Sequence, residues 1–294
     1  SYLYIMAKVS FSQYSMWSSC PQQYKLNYID KLGESSGNIH TIFGSSMHET
    51  IQHYLSVMYG VSKKQADEID LDKLLLDRMK ENFTKEREAL SEGAPCTQIE
   101  LEEFYGDGRR ILEWLKKNLN KFYSKSGFEL VGIEIPLNAK IKEGVHFIGF
   151  IDIVLRDMAE NSIIIIDLKT STQGWNQYQK ADKFKNAQIL LYKKYYSELF
   201  NIPLQKIRVE YQIMRRKLPE DSAFPVPYIS KHAPSNGAPS VTKAHDEFME
   251  FINTVFNDDG TYKDIKFPKV PGQNKKNCKW CEFLGKHCDG KADK

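Results

Sequence analysis

The chain has 294 residues, 41% of them hydrophobic and 27% charged, with a formal net charge of +3. That composition fits a globular enzyme with a sizeable core and excludes collagen-like and intrinsically disordered classes. No apolar run approaches a membrane span, no secretory signal is visible, and five cysteines without one argue against a disulfide framework. The expected setting is therefore the reducing cytoplasm.

Ser1 to Ile5 precede Met6, read as an added remnant or a short leader, and are set aside. Residues 10–32 read as a serine-capped opening and then a helix after Pro21. A second helix is expected from Gly44 to about Met58, with Ser45 and Ser46 as cap candidates. Leu71, Leu75, Met79 and Phe83 recur at helical spacing, as do Ile111, Leu115, Leu119 and Phe122, with Gly93-Ala94-Pro95 as the intervening loop. Strand character then dominates: Phe128 to Leu137, Val145 to Arg156 and Ser162 to Thr170, separated by turns at Glu143-Gly144 and Glu160-Asn161. A helix from about Ala181 to Phe200 and a strand from Ile207 to Arg215 follow. Residues 219–245, rich in Pro, Ser, Ala and Gly, read as an exposed loop. Helix resumes near His245, and the chain closes in a basic, cysteine-bearing segment. There is no internal repeat and no Walker A loop.

Two of the strands carry the chemistry. Gly149-Phe150-Ile151-Asp152-Ile153-Val154 and Ile163-Ile164-Ile165-Ile166-Asp167-Leu168-Lys169-Thr170 are hydrophobic runs that each end near an aspartate. Alternation along a strand points Asp167 and Lys169 the same way and Leu168 the other. If the runs pair as a hairpin, Asp152 joins them. Two carboxylates able to hold a divalent cation, with an ammonium beside them, suit metal-assisted phosphodiester hydrolysis.

Asp152 followed by Asp167-Leu168-Lys169 resembles the bipartite signature of the PD-(D/E)XK nuclease superfamily. Helix, three strands, helix, strand is similar to its restriction-endonuclease-like αβββαβ core: an α/β fold with a mixed central sheet. Three further elements resemble its RecB-like branch. His48 stands in a Gly-x-x-x-His context, Gln188 and Tyr192 form a Gln-x-x-x-Tyr pair, and Glu134 lies on the strand before the first aspartate. The resemblance implies that His48, Asp152, Asp167 and the Leu168 carbonyl hold Mn2+ or Mg2+. Lys169 would then act on the attacking water, Gln188 and Tyr192 would orient the site, and Glu134 would support it or bind a second metal.

Cys278-Lys279-Trp280-Cys281 and Cys288 have metal-ligand spacing but are one ligand short. Cys20-Pro21-Gln22-Gln23-Tyr24 resembles the distant N-terminal cysteine of AddB-type nucleases and the exonucleases of CRISPR adaptation. There such a set holds a [4Fe–4S] cluster that staples the chain ends. Spacing alone leaves Zn2+, or His287 as the fourth ligand, open. Cys96 matches no such position and reads as a free thiol.

Four segments are thus expected: 1–43 with the first cluster cysteine; a core over 44–218 with a helical insertion at 60–126; the loop 219–245; and 246–294 with a helix and the cysteine segment. The resemblance implies an Mn/Mg-dependent deoxyribonuclease, an exonuclease leaving 5′-phosphates. The partner would be DNA, as single strands or duplex ends, with no membrane. The C-terminal lysines (nine against four acids over 263–294) with Arg215, Arg216 and Lys217 would line a groove, and Trp175 and Tyr178 would stack on bases. Two alternatives remain: a subunit of a CRISPR-adaptation or recombination complex, and a non-catalytic DNA-binding scaffold.

Overall fold

The computed structural model describes residues 6–34 and 37–293; Ser1–Ile5, the expected remnant or leader, lie outside them. The chain divides into two compact units. The first gathers 1–34, 136–149 and 241–294, and the second gathers 35–135 and 150–240.

In the first unit, strand β1 (Ala7–Val9) runs parallel to the start of β3 (Val145–Asp157), with Ala7 opposite Val145. The expected serine-capped opening is itself a helix, α1 (Phe11–Ser19). Ser10 caps it by accepting from the Gln13 amide at 3.4 Å. Cys20 is extended, at φ −157 and ψ 106, and breaks the chain before α2 (Pro21–Tyr24), where the proline sits at the first helical position. A π-helical turn, Lys25–Ile29, continues it. These helices pack aromatic side chains against the end of a C-terminal helix. The Tyr14 ring lies 5.3 Å from Phe248, Trp17 lies 5.1 Å from Phe251, and Phe147 lies 5.7 Å from Phe248.

The second unit holds the mixed sheet. Helix α3 (Ile39–Gly60) starts five residues before the expected Gly44, because Asn38 caps it, accepting from the amides of His40 at 2.9 Å and Thr41 at 3.2 Å. Gly44 therefore lies inside the helix, where a Cβ would stand 3.4 Å from Thr170 Oγ1. Helices α4 (Lys63–Asp67), α5 (Leu71–Ala89) and α6 (Gln98–Lys117) fill the expected insertion. Their periodic residues Leu71, Leu75, Met79, Ile111 and Leu115 join one hydrophobic cluster with Met47, Leu55, Ile166 and Leu168.

Strand β2 (Phe128–Lys142) continues past the expected Leu137, with Leu137 and Ala139 buried. It pairs with β3. Beyond it β3 pairs antiparallel with β4 (Ser162–Ser171), and β4 runs parallel to β5 (Ile207–Arg215). The return between those parallel strands is made by α7 (Gln177–Ala181) and α8 (Lys183–Phe200). The result is the α/β, restriction-endonuclease-like order anticipated from the sequence.

The stretch expected as an exposed loop, 219–245, is only partly one. Strand β6 (Ile229–His232) pairs antiparallel with β5, and α9 (Ala238–Val255) begins before the expected His245. Buried Ile229 drives the pairing, and Pro239 in the first turn of α9 suits a helix start despite its loop-like surroundings. Among the described residues no helix is long and apolar enough to cross a membrane.

Candidate active site

The β3–β4 register pairs Ile153 with Ile166, and Asp152 and Asp167 are the next residues along the two strands. Asp152 Oδ2 accepts from the Leu168 amide at 2.7 Å, so the first carboxylate is tied to the second strand's backbone. Leu168 faces the hydrophobic cluster, while Asp167 and Lys169 share the opposite face as strand alternation requires. Lys169 Nζ lies 2.8 Å from Asp167 Oδ2 and donates to Gln188 Oε1 at 2.8 Å. Gln188 passes the chain on, its Nε2 donating to Tyr192 Oη at 3.1 Å.

Helix α3 brings His48 to this group, with Nδ1 3.8 Å from Asp152 Oδ1. Its side chain keeps 26% exposure, yet the surrounding protein still pushes the imidazole down to about 4. Asp167 and the Leu168 backbone oppose that shift, and Lys169 adds to it. At neutral pH the ring is therefore uncharged, with a lone pair to offer. Burial, and then the charge of Asp167, hold the Asp152 carboxyl well above the usual range; the Leu168 amide and Lys169 act the other way. Glu134 adds a smaller push from a third carboxylate.

These residues suit a divalent cation. Two crowded carboxylates repel one another, and the buried Asp167 Oδ2 has no hydrogen-bond partner, only the Lys169 ion pair. A neutral nitrogen beside the two carboxylates makes a mixed N/O donor set, which favours manganese over magnesium, a cation that prefers oxygen ligands. Among the described residues, however, no three His, Cys, Asp or Glu side chains converge tightly enough to hold an ion as they stand.

Sequence reasoning missed Gln52. It sits four residues after His48 and so on the same face of α3, and that spacing is the signal that could have found it. Its Nε2 donates to Glu134 Oε1 at 2.7 Å and to the Asp152 carbonyl at 3.0 Å.

Three of the expected DNA contacts are engaged within the protein. Arg216 is 7% exposed and stacks 3.6 Å over the Phe104 ring, with Nη1 2.5 Å from Asp107 Oδ2. Lys217 Nζ lies 2.9 Å from Glu103 and 3.1 Å from Asp107, and Arg110 also pairs with Asp107. These cations neutralise the fully buried Asp107 and do not line a free groove. Trp175 is likewise packed, 5.1 Å from Tyr211, with Lys185 5.2 Å over its ring. Tyr178, 88% exposed on α7, keeps a free face.

The four cysteines gather in the first unit. Cys281 feels Cys20, Cys288 and Cys278 as neighbours, although burial is what mainly raises its thiol. Cys20 Sγ accepts from the Val270 amide at 3.4 Å, and Asn277 Nδ2 donates to the Ser19 carbonyl at 2.9 Å. All five cysteines are free thiols. The four sulfurs come from both ends of the sequence, and their chemistry is that of thiolate ligands, but among the described residues no three of them converge closely enough to hold a metal as they stand. His287 packs 6.2 Å from the Phe283 ring. Cys96 packs against the hydrophobic cluster of the second unit.

A mixed sheet carrying Asp and Asp-x-Lys on paired strands, with a helix-borne imidazole beside them, defines a nuclease of the restriction-endonuclease-like class. Residues 8–285 match the PD-(D/E)XK nuclease superfamily, and the chain belongs to it. Members of this superfamily generally use divalent metals such as Mg2+ or Mn2+ and act on DNA. No curated protein matches the sequence. Two solved structures are similar over most of their length. A candidate exonuclease from Eubacterium rectale has 11% identity and a TM-score of 0.44, covering 83% of this chain and 78% of its own. SSO0001 has 13% identity and a TM-score of 0.26, covering 81% and 85%. Neither likeness carries a functional argument.

Proposed function

We propose that the chain is a divalent-cation-dependent deoxyribonuclease of exonuclease type, with Asp152, Asp167, His48 and the Leu168 carbonyl as the cation's ligands. The observation that carries this reading is the tie between β3 and β4. It joins Asp152, Asp167 and Lys169 into one constellation with a neutral imidazole 3.8 Å from Asp152. When bound, the cation would stabilise negative charge on the phosphate.

The remaining work falls to the chain's own groups. Lys169, held by Gln188, which is in turn bonded to Tyr192, orients a water for attack on phosphorus and stabilises the charge that develops there. The water oxygen forms the new P–O bond and gives up a proton to solvent, the bond to the 3′ oxygen breaks, and that oxygen takes up a proton from solvent. The products are a 5′-phosphate and a 3′-hydroxyl. Tyr178 offers a face on which an unpaired base can stack, and the C-terminal lysines attract the backbone.

We further infer that Cys20, Cys278, Cys281 and Cys288 hold a [4Fe–4S] cluster. Its role is structural, pinning α1 and α2 to the C-terminal segment, which already meet through the Cys20–Val270 and Asn277–Ser19 contacts.

Cleavage of end-labelled single- and double-stranded DNA with Mn2+ tests the catalytic assignment. Lys169→Ala and Asp152→Ala should each abolish cleavage while the fold and DNA binding persist. Near-native rates for either variant at saturating Mn2+ would refute it.

A further inference from the structure

Gln52 is 3% exposed, and its amide nitrogen is engaged twice. Both partners, the Glu134 carboxylate and the Asp152 carbonyl, are acceptors, so the orientation of the amide is settled and both of its N–H groups are used. A buried polar side chain with this arrangement joins three elements: the helix that carries His48, the β2 residue Glu134, and the β3 backbone at Asp152.

The Glu134 backbone supports the same conclusion. Its φ is +46, the left-handed region that side chains with a Cβ rarely adopt. Along β2 the partly buried positions are 128, 130 and 132, and then 133 and 135, before the buried 137 and 139. The alternation therefore slips by one at Gly132-Ile133, as it does at a β-bulge. Bulges recur beside active sites, where they re-aim a side chain. Ile133 takes the inward place against the hydrophobic cluster, and Glu134 is freed to turn its carboxylate onto Gln52. Glu134 also lies near enough to act on Asp152.

We propose that Gln52 is a positioning residue: its amide locks the re-aimed Glu134 carboxylate and the Asp152 backbone to the His48 helix, and the site's affinity for a divalent cation depends on that lock. The inference rests on the reading of this site as a cation-dependent nuclease centre. Gln52 touches neither water nor phosphate in it. It acts through Glu134 and Asp152, as partners beyond the direct ligands do in metal sites, where their loss weakens metal binding by about 10–100-fold.

The test is titration of the full chain with Mn2+ alone, without DNA, followed by isothermal calorimetry, alongside the Mn2+ dependence of cleavage. Gln52→Met keeps length and apolar volume but removes both donors. It should weaken Mn2+ binding about tenfold and raise the half-saturating Mn2+ for cleavage, with kcat restored at saturation and the circular dichroism spectrum unchanged. Glu134→Ala, at an exposed position, should reproduce most of that loss. Gln52→Met added to Glu134→Ala should cost little more, since groups that act through one another do not add. Gln52→Met binding Mn2+ within about twofold of the parent, or losses that multiply in the double variant, would overturn the positioning role. If Gln52→Met fails to fold, an unchanged Mn2+ affinity in Glu134→Ala overturns it alone. A parent protein that binds no Mn2+, or whose binding survives Asp152→Ala with Asp167→Ala, refutes the cation-site reading itself and takes this inference with it.

Discussion

Replacing Asp107 should be among the most destabilising single changes outside the candidate site. Its side chain is fully buried, and Arg216, whose own side chain is 8% exposed, faces it at 2.5 Å. In Asp107→Asn the amide keeps the volume but removes the charge, leaving the buried guanidinium only the more distant, half-exposed Glu103 at 3.8 Å. Breaking a buried pair from one side costs about 3–5 kcal/mol. The half-exposed Lys217 and Arg110 add little, since exposed pairs contribute about 0–1 kcal/mol. At roughly 2–4 °C per kcal/mol for a unit of this size, the melting temperature should fall by about 6–20 °C. Differential scanning calorimetry of the parent and Asp107→Asn measures the loss. Combining Asp107→Leu with Arg216→Met removes both charges together and should recover most of it. A fall below about 2 °C for Asp107→Asn, or a double variant worse than either single one, would refute the reasoning.

The other expectations are briefer. Burial lowers the His48 imidazole to about 4, below its unfolded value of 6.5, so the folded state binds fewer protons between those limits. Its stabilising contribution is therefore complete above about 6.5 and lost as the pH falls through about 4; urea unfolding at pH 7 and pH 4.5 should show a smaller difference in His48→Ala than in the parent, and an equal difference would count against it. Purified without oxygen, the protein should be brown with about four irons per chain. Cys20→Ser should lose the iron and lower the melting temperature, Cys96→Ser should do neither, and one tightly bound zinc in a colourless protein would replace the cluster assignment. DNA affinity, measured by fluorescence anisotropy, should fall steeply with added salt and vary little with sequence; tight, salt-insensitive binding to one short sequence would contradict lysine-led contacts.

The core elements were legible because they follow from local pattern. Strand alternation alone aims Asp167 and Lys169 to one face, and the hairpin that carries Asp152 alongside needs only a short turn at Glu160-Asn161. Helical spacing from Leu71 to Met79 and from Ile111 to Leu115 found the packing faces of α5 and α6. Gln52 escaped because a glutamine on an amphipathic helix reads as solvated, and only tertiary packing buries it beside Glu134. Arg216 misled in the opposite direction. An arginine after a strand suggests a phosphate contact, but Asp107, more than a hundred positions earlier, consumes its charge. The span 219–245 misled through composition, because Pro and Ser serve helix starts as well as loops, and β6 depends on pairing with β5.

The division of the sequence between the two units bears on the order in which the protein can mature. Everything the second unit needs has left the ribosome once residue 240 has emerged, and domains generally fold as units during synthesis. The first unit must wait. Tyr14, Trp17 and Tyr24 emerge early, but the aromatic partners they pack against, Phe248 and Phe251, are translated more than two hundred residues later. Through that interval the amino-terminal helices are a sticky, unfinished surface, and Cys20 is a thiol without its three companions. Co-translational chaperoning is the cellular service such a chain would draw on, and stalled or truncated translation products should be the forms most prone to aggregate.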